Sequence, residues 1–342
     1  MSTTKLSQDF WDMLTLFTAR ITSDERREFT DFIHDLEKSK SFTLDKLVAS
    51  KEDGGISCPY CHHTDPKKIV KYGVRHGVQW YRCKTCNRTF SSLSNSFLAW
   101  SKKGFDTWKR FISSMIEGHS VRRSAELCRI HRNTAWVWRH KILDALTQYQ
   151  NSQGSMSGIV EADDTFFPLS YKGSKPIGRD AHQRGTPASK RGISKEKVCV
   201  SCAVEREGQV FSKVSALGPP KAKALQRVFR NRISKQATVC TDNATAYVSY
   251  GKRRKFRHIR VPNGIRLLGT YHVQNINSYH SRLKEFIRKF KGVATKYLDN
   301  YLVWFNQIQT GGRSRIELLK LAIKALVFDR WSDISDRPAV PV

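Results

Sequence analysis

The period of the hydrophobic pattern changes along the chain, and the changes divide it. Within residues 1–48, Phe10, Trp11, Leu14 and Phe17 recur at helical spacing, and Thr22 with Glu25 forms a capping box opening a second helix through Leu36. In residues 49–98, two short strand-like runs at 68–72 and 79–82 predict a hairpin. Residues 99–150 return to a helical period. A short helix at 121–128 is followed by a turn at 129–131, and Asn133 caps a longer helix over 134–146. The small, polar stretch 150–157 reads as a linker.

Past that linker the period becomes that of strands. Residues 158–167, 198–204 and 210–217 alternate, 221–233 form a basic amphipathic helix, and 237–240 and 256–261 are further short strands. A long helix over 272–290 carries the apolar stripe Ile276, Tyr279, Leu283, Phe286 and Ile287. Three strands, then strands alternating with helices, predict an antiparallel meander followed by parallel strands: a mixed α/β sheet in residues 158–310. Residues 311–342 make a C-terminal helix and tail. The chain therefore reads as multidomain α+β, its N-terminal helical units followed by one α/β domain.

Charge adds a partner. Sixty Lys and Arg stand against 30 Asp and Glu in 342 residues, a formal net charge of +30, spread along the whole length. Such a chain repels itself and binds polyanions, nucleic acid first, because neutralising phosphates releases counterions. A ribosomal or chromatin-packing protein has the same excess, so charge alone does not choose among them. Asp9, Asp12, Asp24, Glu25 and Glu28 interrupt any leader-like apolar run, and no run reaches membrane-spanning length. The expectation is a cytoplasmic protein with no membrane partner.

Four of eight cysteines fall in two pairs, Cys58-Pro-Tyr-Cys61 and Cys83-Lys-Thr-Cys86, flanking the predicted hairpin. Two knuckles joined by a hairpin bring four thiolates to one tetrahedral point, the requirement of structural Zn²⁺. His62 and His63 are left as surface residues. Cys199 and Cys202, three apart on a strand, face opposite sides and read as core. The helix–turn–helix pattern at 121–146 offers Arg132, Asn133, Arg139 and Lys141 to DNA, although trihelical cores without DNA function share it. Of Trp136 and Trp138, at least one belongs to the core.

Two carboxylates fit the sheet. Asp163 lies in its first strand and Asp242 just past the fourth, where adjacent strands let them share divalent cations; Mg²⁺, which favours oxygen ligands and substrate phosphates, is expected. In the bland alternative Asp242 caps a helix, since TDNATAY is good capping sequence, and Asp163 or Asp164 ends a strand.

The zinc ribbon, the helix-turn-helix, GIVEADDTFF, CTDNATAY and HVQNINSYHSRLKEFIRKFKGVATKYLDNYLVWF together resemble bacterial insertion-sequence transposases of the ISXO-like group, from about Cys58 to Phe305. The resemblance implies a DDE-type transposase with a ribonuclease-H-like core, which cuts the ends of its element and joins the freed 3′ hydroxyls to target DNA. It implies Mg²⁺ or Mn²⁺ at Asp163, Asp242 and a third position at Asn277, where many relatives of the wider superfamily have Glu and part of this group has Asn. Lys284 matches the basic residue that follows. Double-stranded DNA, as terminal inverted repeats and target, is the implied partner of a homodimer or larger assembly in a bacterial nucleoid.

Asn277 and Lys284 share one helix face with His280 beside them, seven residues being almost two turns. Glu285, about 80° round that helix, is an alternative third carboxylate. Glu161, on the strand face of Asp163, is a candidate auxiliary acid, and Asp164 reads as a strand-end residue. His272 lines or supports the site. The basic insertion 171–197 either orders on DNA near Asp163 or is a solvated loop. The missing third carboxylate admits a catalytically weak or inactive DNA-binding regulator derived from a transposase. A nuclease on the same fold would cut without joining.

Overall fold

A computed structural model describes residues 55–75, 78–99, 101–173, 192–262, 264–265, 267–310 and 313–328, with isolated positions before them. The expected N-terminal helical hairpin and the centre of the 171–197 insertion lie outside the described residues.

The two cysteine knuckles are held by a three-stranded antiparallel sheet, β1 (Ile69–Arg75), β2 (Val78–Cys83) and β3 (Thr89–Ser91). Each knuckle closes by an amide returning to the carbonyl of its first cysteine. His62 donates to Cys58 and Asn87 to Cys83, and both residues are left-handed, at φ 59° and 61°. A separate small core of Cys58, Ile69, Tyr81, Cys83 and Phe90 lies beneath. So few apolar residues cannot offset the entropy of ordering the module, and metal ligation is the usual remedy.

Three helices follow: α1 (Phe105–Ile116), α2 (Val121–Cys128) and α3 (Arg132–Ser152). Ser120 caps α2 through the Arg123 amide, and Arg129 takes the left-handed conformation that turns the chain into α3. The long helix begins earlier than the sequence suggests. His131, not Asn133, is its N-cap, the ring accepting the Asn133 amide at 3.3 Å. It also runs to Ser152, into the expected linker, because Leu146 and Gln150 are buried and hold it to the next domain. Trp138 is the core tryptophan, stacked on Trp108 at 3.7 Å, while Trp136 is 38% exposed.

The second half forms a five-stranded sheet in the order β6-β5-β4-β7-β8. Strands β4 (Ile159–Pro168), β5 (Lys197–Glu205) and β6 (Val210–Leu217) are antiparallel, and β7 (Thr238–Thr241) and β8 (Arg257–Arg260) run parallel to β4. This order and these directions are those of a ribonuclease-H-like fold. Helices α4 (Ala222–Phe229) and α5 (Thr245–Arg254) cover one face with Val160, Ala162 and Phe211. On the other face α6 (Gln274–Lys289) and α7 (Thr295–Gln309) pack on Val200, Cys202 and Val214. The expected long helix over 272–290 is thus α6, and Cys199 and Cys202 are both buried.

The core on the α6–α7 face is continuous with that of the three helices. The last helix, α8 (Arg315–Phe328), packs on α1 and α3, and the Phe97 amide donates to the Leu326 carbonyl. Polar groups are stitched through the seam. Asn306 of α7 donates to Gln150 of α3 at 3.0 Å and accepts from Tyr279 of α6 at 2.6 Å and Ser212 of β6 at 3.0 Å, all buried. Asn300 donates to Asp144 in the same way. Buried polar groups left without partners cost more than the bonds contribute when made. Asn306→Ala is therefore expected to destabilise by about 2–4 kcal/mol. The helical unit and the sheet domain should unfold in one transition by calorimetry; two separated transitions would mean that the seam does not couple them.

Candidate active site

Alternation along β4 sorts its acidic residues between two environments. Glu161 and Asp163 point to the α6 face, and Asp164 points to α5. Asp164 accepts from the Tyr247 hydroxyl at 3.0 Å and the Ser201 hydroxyl at 2.6 Å. Burial raises its pKa to about 6, against the pull of those two donors. It does not end the strand, as its sequence context suggests, because β4 continues to Pro168.

Glu161 is fully buried and is committed elsewhere than to a metal. One oxygen accepts the backbone amides of Asn275 and Ile276 at 2.8 and 3.1 Å; the other accepts the Asn275 side chain at 2.9 Å and faces His272 Nδ1 at 3.1 Å. Arg206 stands 3.7 Å away. A carboxylate on the first free amides of a helix, where the helix dipole is positive, is a strong anchor. The candidate auxiliary acid therefore fixes the start of α6, and His272 supports it.

From that anchor α6 climbs alongside β4. From Asn275 to His280 the helix rises about 7 Å, and from Glu161 to Asp163 the strand rises about 7 Å. His280 Nδ1 accordingly lies 3.9 Å from the Asp163 carboxylate. Asn277 and Lys284 are exposed on the same helical face, one turn before and one turn after His280. Glu285 points away. It lines a groove of about 330 Å³ between α1, α3, α6 and α7, with Arg282, Phe286 and Arg139.

The parallel pairing of β4 with β7 supplies the second carboxylate. Val160 lies opposite Val239 and Glu161 opposite Cys240, so two further residues of that register bring Asp242 opposite Asp163. Asp242 also accepts the Ala244 amide through Oδ1 at 3.0 Å, fixing the turn into α5. The capping role and the placement beside Asp163 are compatible, since one carboxylate oxygen remains. Burial pushes the Asp163 pKa up to about 7; the charges of Asp242 and Asp164 add to this, and Lys284 opposes it. His280 is pushed down to about 4 by burial and by Lys284, so it is neutral at physiological pH. Two half-buried carboxyl groups side by side, that of Asp163 with a raised pKa, with oxygen donors and access from solvent, fit a divalent cation.

The four ribbon cysteines converge, with their sulfurs within 4.8 Å of one another. Cys58 Sγ–Cys86 Sγ is 3.6 Å and Cys61 Sγ–Cys83 Sγ is 3.7 Å. A tetrahedron with Zn–S bonds of about 2.3 Å has edges of about 3.8 Å, so the set fits Zn²⁺. On α3, Arg132 and Asn133 are exposed in the first turn. Lys141 is half-buried in a groove with Lys102, Lys103 and Trp108. Arg139, expected at the DNA, is instead a core residue. It is 3% exposed, donates to the His119 carbonyl at 2.7 Å and lies over the Phe290 ring, packing α3 against α6.

Two carboxylates thus stand side by side on the central strands of this sheet, with a basic helix face over them. Residues 155–306 match the family model described as the ISXO2-like transposase domain. The chain is also 23% identical, over 254 residues, to an uncharacterised protein in transposable element ISH50 of Halobacterium salinarum, across 72% of this chain and 83% of that one. Among solved structures, a pre-cleavage Mos1 transpososome shares 12% identity over 65% of this chain and 78% of its own, with a TM-score of 0.21. A mariner Mos1 paired end complex with Mg shares 11% identity over 68% and 82%, at 0.22. No described helix is long and apolar enough to cross a membrane.

Three outcomes are expected. Glu161→Gln keeps the shape but removes the charge from the start of α6, costing about 2–3 kcal/mol in denaturant unfolding. Divalent-metal affinity should fall with it, although Glu161 is no ligand; unchanged affinity would separate the anchor from the site. A carboxyl with a folded pKa raised to about 7 holds a proton that the unfolded chain has released, so metal-free stability is lost as pH rises from about 4 to 7. The melting difference between Asp163→Asn and the parent should widen in favour of the variant between pH 5 and 8. Cys83→Ser, or chelation of zinc, should abolish the folded ribbon in NMR spectra while divalent binding at Asp163 survives.

Proposed function

We propose that the chain binds the terminal inverted repeats of its insertion sequence, cleaves the DNA ends and joins the 3′ hydroxyls to target DNA. Both steps are in-line displacements at phosphorus that need no covalent protein intermediate. The observation that carries the reading is the register that brings Asp242 beside Asp163, with His280 and Lys284 of α6 over them.

Asp163, Asp242 and Asn277 would hold Mg²⁺ or Mn²⁺. Bound there, the ion would activate the attacking oxygen and stabilise the leaving one. Asp163 gives up its proton to solvent on ligation, and Asp242 offers the oxygen not held by Ala244. Asn277 contributes an amide oxygen without charge, which makes the site weaker than one of three carboxylates. The Lys284 ammonium attracts a DNA phosphate to the site, while neutral His280 packs against Asp163 without competing for its charge. Glu285 faces the helical unit and is left out.

End recognition falls to the ribbon, with Zn²⁺ on Cys58, Cys61, Cys83 and Cys86, and to the start of α3. There Arg132 and Asn133 would enter the major groove and Lys141 would contact the backbone. Two ends must be handled together, so a dimer or larger assembly on DNA is required, working in the cytoplasm on the nucleoid. A second reading, a weak or inactive DNA-binding regulator, would rest on the uncharged Asn277.

Labelled element ends, incubated with Mg²⁺ or Mn²⁺, decide between them. Nicking and joined products from the parent, with a loss of at least 100-fold in Asp242→Ala, are expected. Equal background cutting by both proteins would favour the regulator, and cutting without joining a nuclease.

A further inference from the structure

Between Glu207 and Glu285 the chain has sixteen Lys and Arg and a single acidic residue, Asp242. The fold collects the densest part of this run on one edge of the sheet. Lys252, Arg253 and Lys255 are exposed at the end of α5, and Arg257 and Arg260 are exposed on β8, the terminal strand of the sheet. Arg254 stands apart, since its guanidinium donates to the Arg230 and Ile233 carbonyls. None of the other five makes an ion pair among the described residues; Arg257 lies over the Tyr271 ring at 5.6 Å.

Direction matters more than number. β8 runs parallel to β7, with Arg257 opposite Thr238 and Arg260 opposite Thr241. Asp242 follows Thr241, so the cations form a ladder along the sheet edge toward the end that holds Asp242 and, one strand further, Asp163. They line the edge from both sides, Arg260 on the α5 face and Arg257 on the opposite one. Gly251 keeps that edge close to α5: a Cβ there would meet His258 Nδ1 at 2.9 Å, and the His258 ring is in turn bonded to Thr241 at 2.8 Å. The three-helix unit packs on the α6–α7 face, whereas α5 lies on the other. A duplex held by α3 is therefore across the sheet from Lys252, Arg253, Lys255 and Arg260, with Arg257 at the edge between.

We propose that this ladder is a phosphate track for a second duplex, the target DNA, held by its backbone without base readout so that it ends at the carboxylate pair. The proposal rests on the function proposed above. Charge on an edge strand also blocks edge-to-edge sheet pairing; that role needs no alignment with Asp242.

The test uses the full chain in two variants, Lys252→Ala/Arg253→Ala and Arg257→Gln/Arg260→Gln, each checked for an unchanged melting temperature. Complexes preloaded with saturating end duplex are titrated with a labelled duplex of unrelated sequence over a range of salt. Capture by the variants should fall about tenfold near 0.1 M salt, with a salt slope smaller by about 0.9 for each phosphate left without its cation. Binding of the end duplex should stay within threefold. Capture with the parent's affinity and slope would overturn the proposal, and new self-association alongside it would assign the charges to edge protection. Failure of the parent to prefer end duplex would instead refute end recognition. Titration of the protein alone with unrelated duplex then still reads the ladder, by the same weakening in the variants.

Discussion

The site depends on one buried carboxylate that is not itself a ligand. Glu161 takes the first free amides of α6, and this contact decides where along β4 the helix begins. Every residue of α6 that faces Asp163 inherits its height from that point. Two strand residues and one and a third helical turns cover nearly the same distance, so an anchor at Glu161 delivers His280 to Asp163. An error of one residue at the anchor would rotate the helix by about 100° and carry Asn277 and Lys284 off the site.

The second dependence is electrostatic. Asp163 and Asp242 meet because parallel strands in register present residues side by side on one face, and the protein compensates that pairing only in part. Lys284 offsets part of it; burial and Asp164 add to it. Such stored repulsion costs stability in the metal-free protein and favours a divalent cation, the same exchange seen from two sides. The surrounding core can tolerate the cost because α3, α6, α7 and α8 share one interior, tied through Asn306.

Much of this was legible in the sequence. The change of period near residue 158 predicted the sheet, its strands and the mixed topology, because strand alternation and helix stripes are local signals. The two Cys-x-x-Cys pairs predicted a convergent cluster, since knuckle geometry is local as well. The failures were those of long-range contact. Glu161 looked like an auxiliary acid because its partners, the amides of Asn275 and Ile276, are more than a hundred residues away. Arg139 looked like a DNA contact because a basic residue on a candidate recognition helix gives no local hint that Phe290 and His119 bury it. Its helical spacing with Ala135, Trp138 and Ile142, an apolar stripe, could have raised the question. The start of that helix was misplaced by the stronger capping propensity of Asn over His, where the His131 ring nitrogen does the same work. Asp164 was misjudged although its strand was placed within a residue, because its partners Tyr247 and Ser201 are far off in sequence.

The central claim is that Asp163, Asp242 and Asn277 form one divalent-cation site. Calorimetric titration of the metal-free protein with Mn²⁺ at pH 7.5 tests it most directly, across Asn277→Ala, Asn277→Asp and Glu285→Gln. Affinity should fall about tenfold in the first, rise in the second by the added charge, and stay unchanged in the third. Unchanged binding in both Asn277 variants, with weaker binding in Glu285→Gln, would contradict the site.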